Sequence, residues 1–120
     1  MRAILAVWAI SLLTGPSAYA PRGRMFIATA YSQKGHTASG AITRVGLVAA
    51  DPKVLPLGSR IHVTGAGDYS GEYLVADTGA LVKGRHIDIF MPSRAEAIRF
   101  GKQRVTVRIR RLPNIAKAEF

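Results

Sequence analysis

Short apolar runs separated by turn residues dominate the chain beyond its first 24 residues. Runs of this length, rich in branched and aromatic side chains and interrupted by Gly, Pro and Asp, are typical of β-strands. The pattern predicts six strands, over Met25–Tyr31, Val45–Ala49, Ile61–Thr64, Tyr73–Ala76, Ile87–Phe90 and Val105–Ile109. In the last run apolar and basic residues alternate, so one face of that strand packs inside and the other meets solvent.

One segment, from Pro92 to Phe100, has the pattern of a short helix. Ser93 stands near its start with Glu96 three residues later, which is the arrangement of a capping box, and Gly101 follows its last residue. Six strands and one short helix predict an all-β fold. We expect the sheet to close into a small barrel, because closure leaves no exposed sheet edge.

The first 20 residues have the layout of a secretory signal. A basic start is followed by an apolar run over Ala3–Leu13, shorter than the about 20 residues that span a bilayer. Small residues follow at Ala18 and Ala20, but Pro21 comes next and disfavours cleavage there, which leaves an uncleaved membrane anchor as the alternative. We therefore predict an exported protein of the periplasm, cell wall or medium. The predicted organisation is a leader over 1–20, a linker over 21–24, a barrel domain over 25–112 and a tail over 113–120.

The composition is strongly basic for a chain of 120 residues, which is the length of one domain. The 17 Lys and Arg residues against 7 Asp and Glu residues give a formal charge of +10. Such a charge favours a polyanionic partner, whether nucleic acid, anionic lipid or an acidic wall polymer. The chain has no cysteine, which excludes disulfides and thiol chemistry, and its three histidines without cysteine argue against zinc.

Three aspartates, Asp51, Asp77 and Asp88, each follow or interrupt an apolar strand run. Asp88 lies between Ile87 and Ile89, and side chains on a strand alternate between its faces. If the isoleucines fill the barrel, Asp88 faces outward into a groove. The structural alternative is that this carboxylate caps a turn or pairs with a nearby cation.

Five segments together resemble the 3D domain, a family named for its three aspartates. They are ATAYS at 28–32, HTASG at 36–40, GLVAADPKVLPLGSRIHV at 46–63, YLVADTGALVKGRHIDIFM at 73–91 and FGKQRVTVRI at 100–109. The domain is found in membrane-bound lytic transglycosylase A and in stationary-phase survival and resuscitation-type wall enzymes. The resemblance implies a double-psi β-barrel that cleaves peptidoglycan glycan strands without a cofactor.

The resemblance also implies roles for individual residues. Asp88 matches the catalytic acid and base of the family, and Asp77 matches a second family aspartate, which we expect to stabilise the cationic transition state by staying ionised. The residues assigned to substrate binding are Asp51, Thr29, Tyr31, Thr37, Thr78 and Lys83. The chain departs from the family pattern at Ala80, where a second glycine is usual, and we expect a shallower groove than in larger members.

The function that follows from the resemblance is lytic transglycosylation, with cleavage between MurNAc and GlcNAc and formation of a 1,6-anhydro product. The acid must hold its proton near neutral pH, although the ordinary pKa of aspartate is about 3.9. An apolar setting near Phe90 and the like charge of Asp77 are the expected causes of a raised pKa at Asp88. We expect a monomer that binds glycan strands.

Three other functions compete with this prediction. The first is a non-catalytic, expansin-like barrel that binds wall glycan. The second is nucleic-acid binding through the arginines of the last strand, which the scarcity of aromatics and the leader argue against. The third is a calcium or magnesium site built from the three carboxylates, although the dense loop spacing of dedicated calcium sites is missing. We therefore predict no metal and no nucleic-acid partner.

Overall fold

The computed structural model describes residues 22–113, so the predicted leader, Pro21 of the linker and residues 114–120 of the tail lie outside the described residues. Six strands and one α-helix follow one another along the described chain. They are β1 Arg24–Tyr31, β2 Leu47–Ala50, β3 Arg60–Thr64, β4 Gly71–Asp77, β5 His86–Phe90, α1 Arg94–Phe100 and β6 Gln103–Arg111. A 3₁₀ turn over Gly67–Tyr69 precedes β4.

The six strands form a closed barrel in the order β1-β5-β2-β4-β3-β6, with β6 pairing back onto β1. Two neighbouring pairs, β1 with β5 and β2 with β4, run parallel. The other four pairs are antiparallel. The all-β prediction of a six-stranded barrel with one short helix is therefore confirmed, and the double-psi connection stays a prediction.

The strand ends differ from those expected from apolar runs alone. β2 begins at Leu47 rather than Val45, because Gly46 takes a positive φ of 102° in a turn that leaves Val45 68% exposed. β4 and β6 extend beyond their apolar runs, to Asp77 and Arg111. Backbone pairing continues into polar residues because the ladder bonds use N–H and C=O groups rather than side chains.

The single α-helix begins at Arg94, two residues later than predicted, and Ser93 caps it by accepting a hydrogen bond from the Glu96 N–H at 3.1 Å. The Glu96 side chain does not close a capping box, because it accepts the Tyr69 hydroxyl at 2.8 Å instead. Gly101 ends the helix with a φ of 65°. Within residues 22–113 no helix is long and apolar enough to cross a membrane.

Two apolar clusters fix the strands that carry the site. The larger cluster fills the barrel with inward residues of all six strands, among them Phe26, Val48, Ile61, Val75, Ile87, Ile89 and Val107. A smaller cluster on the outside of β2 and β4 joins Leu47, Leu74 and Ala76 to Ala41. Because Ala41 belongs to the segment between β1 and β2, this cluster holds that segment, residues 33–46, against the barrel.

Candidate functional site

A cleft of about 300 Å³ opens on the outside of the barrel, where the end of β1, the end of β4 and the middle of β5 meet. Residues 33–36 and Thr43 of the 33–46 segment form part of its lining. The lining also includes two carboxylates, Asp77 and Asp88, and the aromatic residue Tyr31. The cleft therefore presents acidic, basic and aromatic side chains.

Asp88 reaches the cleft through the alternation of β5. Ile87 and Ile89 are fully buried in the barrel, and Asp88 between them points outward and lines the cleft. Thr29 stands opposite Asp88 in the parallel β1–β5 register, and its hydroxyl donates to Asp88 Oδ1 at 2.9 Å. The structure thus pairs this carboxyl with a threonine hydroxyl rather than with a neighbouring cation.

The setting of Asp88 favours its neutral form. Burial raises the pKa of the Asp88 carboxyl above its ordinary value, and the negative charge of Asp77 acts in the same direction. The hydrogen bond from Thr29 and the charge of His86 lower the pKa, but burial outweighs them. Both causes expected from the sequence, burial and the like charge, therefore operate here.

Asp77 ends β4 and fastens the neighbouring segment to the barrel. Its Oδ1 accepts the backbone N–H groups of Ala38 and Thr78, each at 2.8 Å. Thr78 also lines the cleft, beside Asp77. Ala80 is exposed and does not line the cleft, so the alanine in place of a second family glycine leaves the carboxylate at the cleft wall.

Tyr31 presents an unused hydrogen-bond donor. Its ring packs edge-on against Phe90, with centroids 5.5 Å apart, and its hydroxyl is buried without a hydrogen-bond partner among the described residues. Burial, followed by the charges of Asp77 and Asp88, raises the pKa of Tyr31 to about 12. A buried hydroxyl without a partner is costly, so this group is a source of instability in the site.

Four predicted substrate-binding residues do not line the cleft, and their binding roles stay predictions: Asp51, Lys83, Thr37 and Thr29. Asp51 is 9% exposed and accepts the N–H groups of Gly84 at 2.9 Å and Lys53 at 3.0 Å. These bonds, chiefly the one from Gly84, lower the pKa of Asp51, and the charge of exposed Lys83 acts in the same direction. Asp51 thereby joins the end of β2 to the loop before β5.

Thr37 is only 7% exposed, and its hydroxyl is used within the 33–46 segment. That hydroxyl donates to the Ala41 carbonyl at 2.9 Å and lies 2.9 Å from the Ser39 hydroxyl. The bonds shape the segment that walls the cleft. The Thr37 hydroxyl is thus bonded within the segment, and Thr37 does not line the cleft.

Sequence reasoning assigned no role to two parts of the site. One is residues 33–36, including His36, which line the cleft from a loop without strand periodicity. The other is His86, whose Nε2 lies 2.7 Å from the Thr29 hydroxyl. Alternation along β5 places His86 on the same face as Asp88, and that was the available signal. Among residues 22–113, no three acidic or histidine side chains converge on a metal-binding position.

Comparison with known proteins places the chain among cell-wall relatives. The sequence profile of the 3D domain matches residues 46–112. YabE of Bacillus subtilis strain 168, named for a proposed role in cell wall shaping, is 42% identical over 79 residues, covering 62% of this chain and 18% of YabE. The cell wall-binding protein YocH of the same organism is 38% identical over 92 residues, covering 68% of this chain and 30% of YocH. The chain thus spans less than a third of the length of either relative.

Among solved structures, the barrel is similar to that of MltA from E. coli. MltA crystallised with bound chitohexaose gives a TM-score of 0.55 over 68% of this chain and 29% of MltA, at 16% identity. Another crystal structure of MltA gives a TM-score of 0.51 at 18% identity, covering 62% of this chain and 27% of MltA. At this identity the likeness shows a shared fold. The match of the domain profile to more than half of the sequence shows that the chain belongs to the 3D domain family.

Proposed function

We propose that this chain is a peptidoglycan lytic transglycosylase in which Asp88 acts first as general acid and then as general base. The observation that carries the proposal is a carboxyl on the wall of an open cleft with a pKa raised by burial. Such a carboxyl keeps its proton to higher pH than a free aspartate, which a general acid requires.

The relatives support a cell-wall glycan as the substrate. YocH is named a cell wall-binding protein and YabE is named for shaping the wall. MltA is described as a lytic transglycosylase and holds a chitohexaose in one crystal structure. We therefore infer that this chain acts in the cell envelope, after export, on the glycan strands of peptidoglycan.

The proposed reaction moves one proton twice and consumes no water. Protonated Asp88 donates to the oxygen that bridges MurNAc C1 and GlcNAc, and the C1–oxygen bond breaks as an oxocarbenium-like centre develops. The Asp88 carboxylate then accepts the proton of the MurNAc C6 hydroxyl, whose oxygen bonds to C1 and closes the 1,6-anhydro ring. Asp88 ends in the protonated form in which it began.

Other residues of the cleft have supporting roles in this proposal. The negative charge of Asp77 stabilises the cationic transition state and also raises the pKa of Asp88. The unpartnered hydroxyl of Tyr31 donates to a sugar oxygen, and Thr78 lines the same cleft. In this proposal Asp88 transfers the proton, and Asp77 supplies the negative charge.

A non-catalytic glycan-binding barrel is the second candidate function. The name of YocH as a cell wall-binding protein favours it, as does the small volume of the cleft, about 300 Å³. Binding needs the hydroxyl and aromatic groups of the cleft but not a protonated carboxyl. Analysis of the products released from peptidoglycan therefore distinguishes the enzyme from the binding barrel.

The test is digestion of purified peptidoglycan, with the muropeptides identified by mass spectrometry. We expect 1,6-anhydro ends from the wild type and at least about 100-fold less product from Asp88→Asn, in line with the loss of a general acid. Asp68→Asn is the matched control, because it removes an exposed acid outside the cleft lining. Reducing ends would indicate a hydrolase, and retention on the wall without product would indicate the binding barrel. Full turnover by Asp88→Asn removes this residue from the role.

A further inference from the structure

We propose that His86 is a positioning residue for Asp88, acting through the Thr29 hydroxyl to fix which carboxyl oxygen carries the acidic proton. This inference rests on the proposed function, because it assigns a task to a group beside the same acid. His86 Nε2 lies 2.7 Å from Thr29 Oγ1, and Thr29 Oγ1 lies 2.9 Å from Asp88 Oδ1. The three side chains therefore form one continuous hydrogen-bonded chain.

The pairing of β1 with β5 brings these three hydrogen-bonded side chains together. His86 and Asp88 lie two residues apart on the outward face of β5, and Thr29 stands opposite Asp88 on parallel β1. The Thr29 hydroxyl is thereby placed within hydrogen-bonding distance of both neighbours. The other charged or titratable groups that act on Asp88 or line the same cleft are Asp77 and Tyr31, from β4 and β1, and Lys34 and His36 of the 33–46 segment. None of the four is hydrogen-bonded to the Thr29 hydroxyl among the contacts of the described residues.

A threonine hydroxyl has a single proton, which sets the direction of the chain. An ionised Asp88 can only accept, so the Thr29 proton points to Oδ1 at 2.9 Å rather than to the more distant Ile87 carbonyl at 3.5 Å. The Thr29 oxygen then accepts from an Nε2–H of His86. When Asp88 takes up a proton, Oδ1 is already occupied as an acceptor. The acidic proton is therefore placed on Oδ2, which has no hydrogen bond among the contacts of the described residues.

The opposite tautomer of His86 would give an inactive arrangement. With its hydrogen on Nδ1, His86 would accept from Thr29 through Nε2, and Thr29 would accept a proton held on Asp88 Oδ1. That proton would be bound toward β1 instead of being offered to a glycosidic oxygen. The tautomer of His86 thus selects the productive form of the acid.

The first test is a direct reading of the tautomer by ¹⁵N NMR on the full chain with labelled histidine. We expect the neutral ring of His86 to carry its hydrogen on Nε2, and we expect this preference to weaken in Thr29→Val. A ring that carries its hydrogen mainly on Nδ1 overturns the inference. This measurement needs no turnover, so an Nε2–H form in an inactive protein would count against the proposed function alone.

The second test is kinetic and uses soluble peptidoglycan fragments. His86→Ala is expected to lower kcat about tenfold with little change in KM, since the loss of one hydrogen bond between neutral groups has about this effect at the upper end of its usual range. His86→Gln, whose side-chain amide can donate from a similar position, should recover most of the loss. His62→Ala is the matched control, because His62 lies on β3 and pairs with Glu72 at 2.6 Å.

A double variant shows whether the two residues act as one chain. If His86 acts through Thr29, then Thr29→Val combined with His86→Ala loses no more kcat than Thr29→Val alone. If the double variant instead loses kcat by the product of the two single-variant losses, His86 affects the reaction by a route that does not pass through Thr29. Equal impairment of His86→Gln and His86→Ala would likewise overturn the inference, because the amide donor would then be without effect.

Discussion

Asp77 has a structural and an electrostatic role, and two substitutions separate them. Its Oδ1 accepts the N–H groups of Ala38 and Thr78, which ties residues 33–46 to the end of β4. Its charge also raises the pKa of Asp88. Asp77→Ala removes both the acceptor and the charge, whereas Asp77→Asn removes the charge and keeps an acceptor oxygen.

The expected stability loss in Asp77→Ala follows from these two hydrogen bonds. A hydrogen bond to a charged group contributes about 1.5 to 3 kcal/mol to the free energy of unfolding. The Ala38 bond is exposed, and both amides regain water when the carboxylate is removed, so we expect about 2 kcal/mol for the pair. In a domain of this size that corresponds to a fall in Tm of about 8 to 16 °C. Asp77→Asn should lose half of this or less.

Thermal unfolding and hydrogen exchange of residues 33–46 measure the structural role, and the pH profile of turnover measures the electrostatic one. Removing the charge of Asp77 lowers the pKa of Asp88, so the decline of activity with rising pH should begin at lower pH in Asp77→Asn. Asp68→Asn controls for the loss of one negative charge elsewhere on the protein. Equal destabilisation by Asn and Ala would refute the hydrogen-bonding argument, and an unchanged pH profile in Asp77→Asn would refute the electrostatic one.

Three further predictions concern single side chains. Tyr31→Phe should leave Tm unchanged or slightly higher, because the hydroxyl has no partner, and should lower turnover about tenfold through a lost bond to substrate. Asp51→Ala should lower Tm at neutral pH in thermal melts, because the carboxylate accepts two backbone N–H groups that join β2 to the loop before β5. Because the pKa of Asp51 is lowered on folding, its contribution is present above the ordinary value of about 3.9 and is lost as pH falls through the lowered one. Asp88→Asn should raise Tm at neutral pH, because the raised pKa of Asp88 makes its ionised form destabilising. In melting curves recorded at falling pH, the difference in Tm between the variant and the wild type should shrink.

Alternation along single strands made much of the barrel predictable. Ile87 and Ile89 are fully buried while Asp88 lines the cleft, as a period of two residues requires. The Ser93 cap was equally local, since it depends on a backbone N–H three residues away. The partner of Glu96 was not predictable in this way, because Tyr69 is 27 residues distant and is brought near only by the closed fold.

The three aspartates show which part of the site could not be derived from local pattern. Each one follows or interrupts an apolar run, and alternation singled out only Asp88, between two isoleucines, as facing outward. Its role as the acid came from the family resemblance. What separates Asp88 from the other two is the number of backbone N–H groups that the fold brings to the carboxylate, since such donors stabilise the charged form. Asp51 receives one N–H on each oxygen, and Asp77 receives two on a single oxygen.

Asp88 differs because, among the described residues, its side chain receives a threonine hydroxyl and no backbone N–H. The burial of its carboxyl is therefore only partly offset, and its pKa is raised where that of Asp51 is lowered. The hydroxyl comes from Thr29, 59 residues away, through the parallel register of β1 and β5. A shift of that register by one residue would turn the hydroxyl to the other face of β1 and leave the carboxyl without this bond. The acid is thus defined by strand pairing rather than by its sequence neighbours.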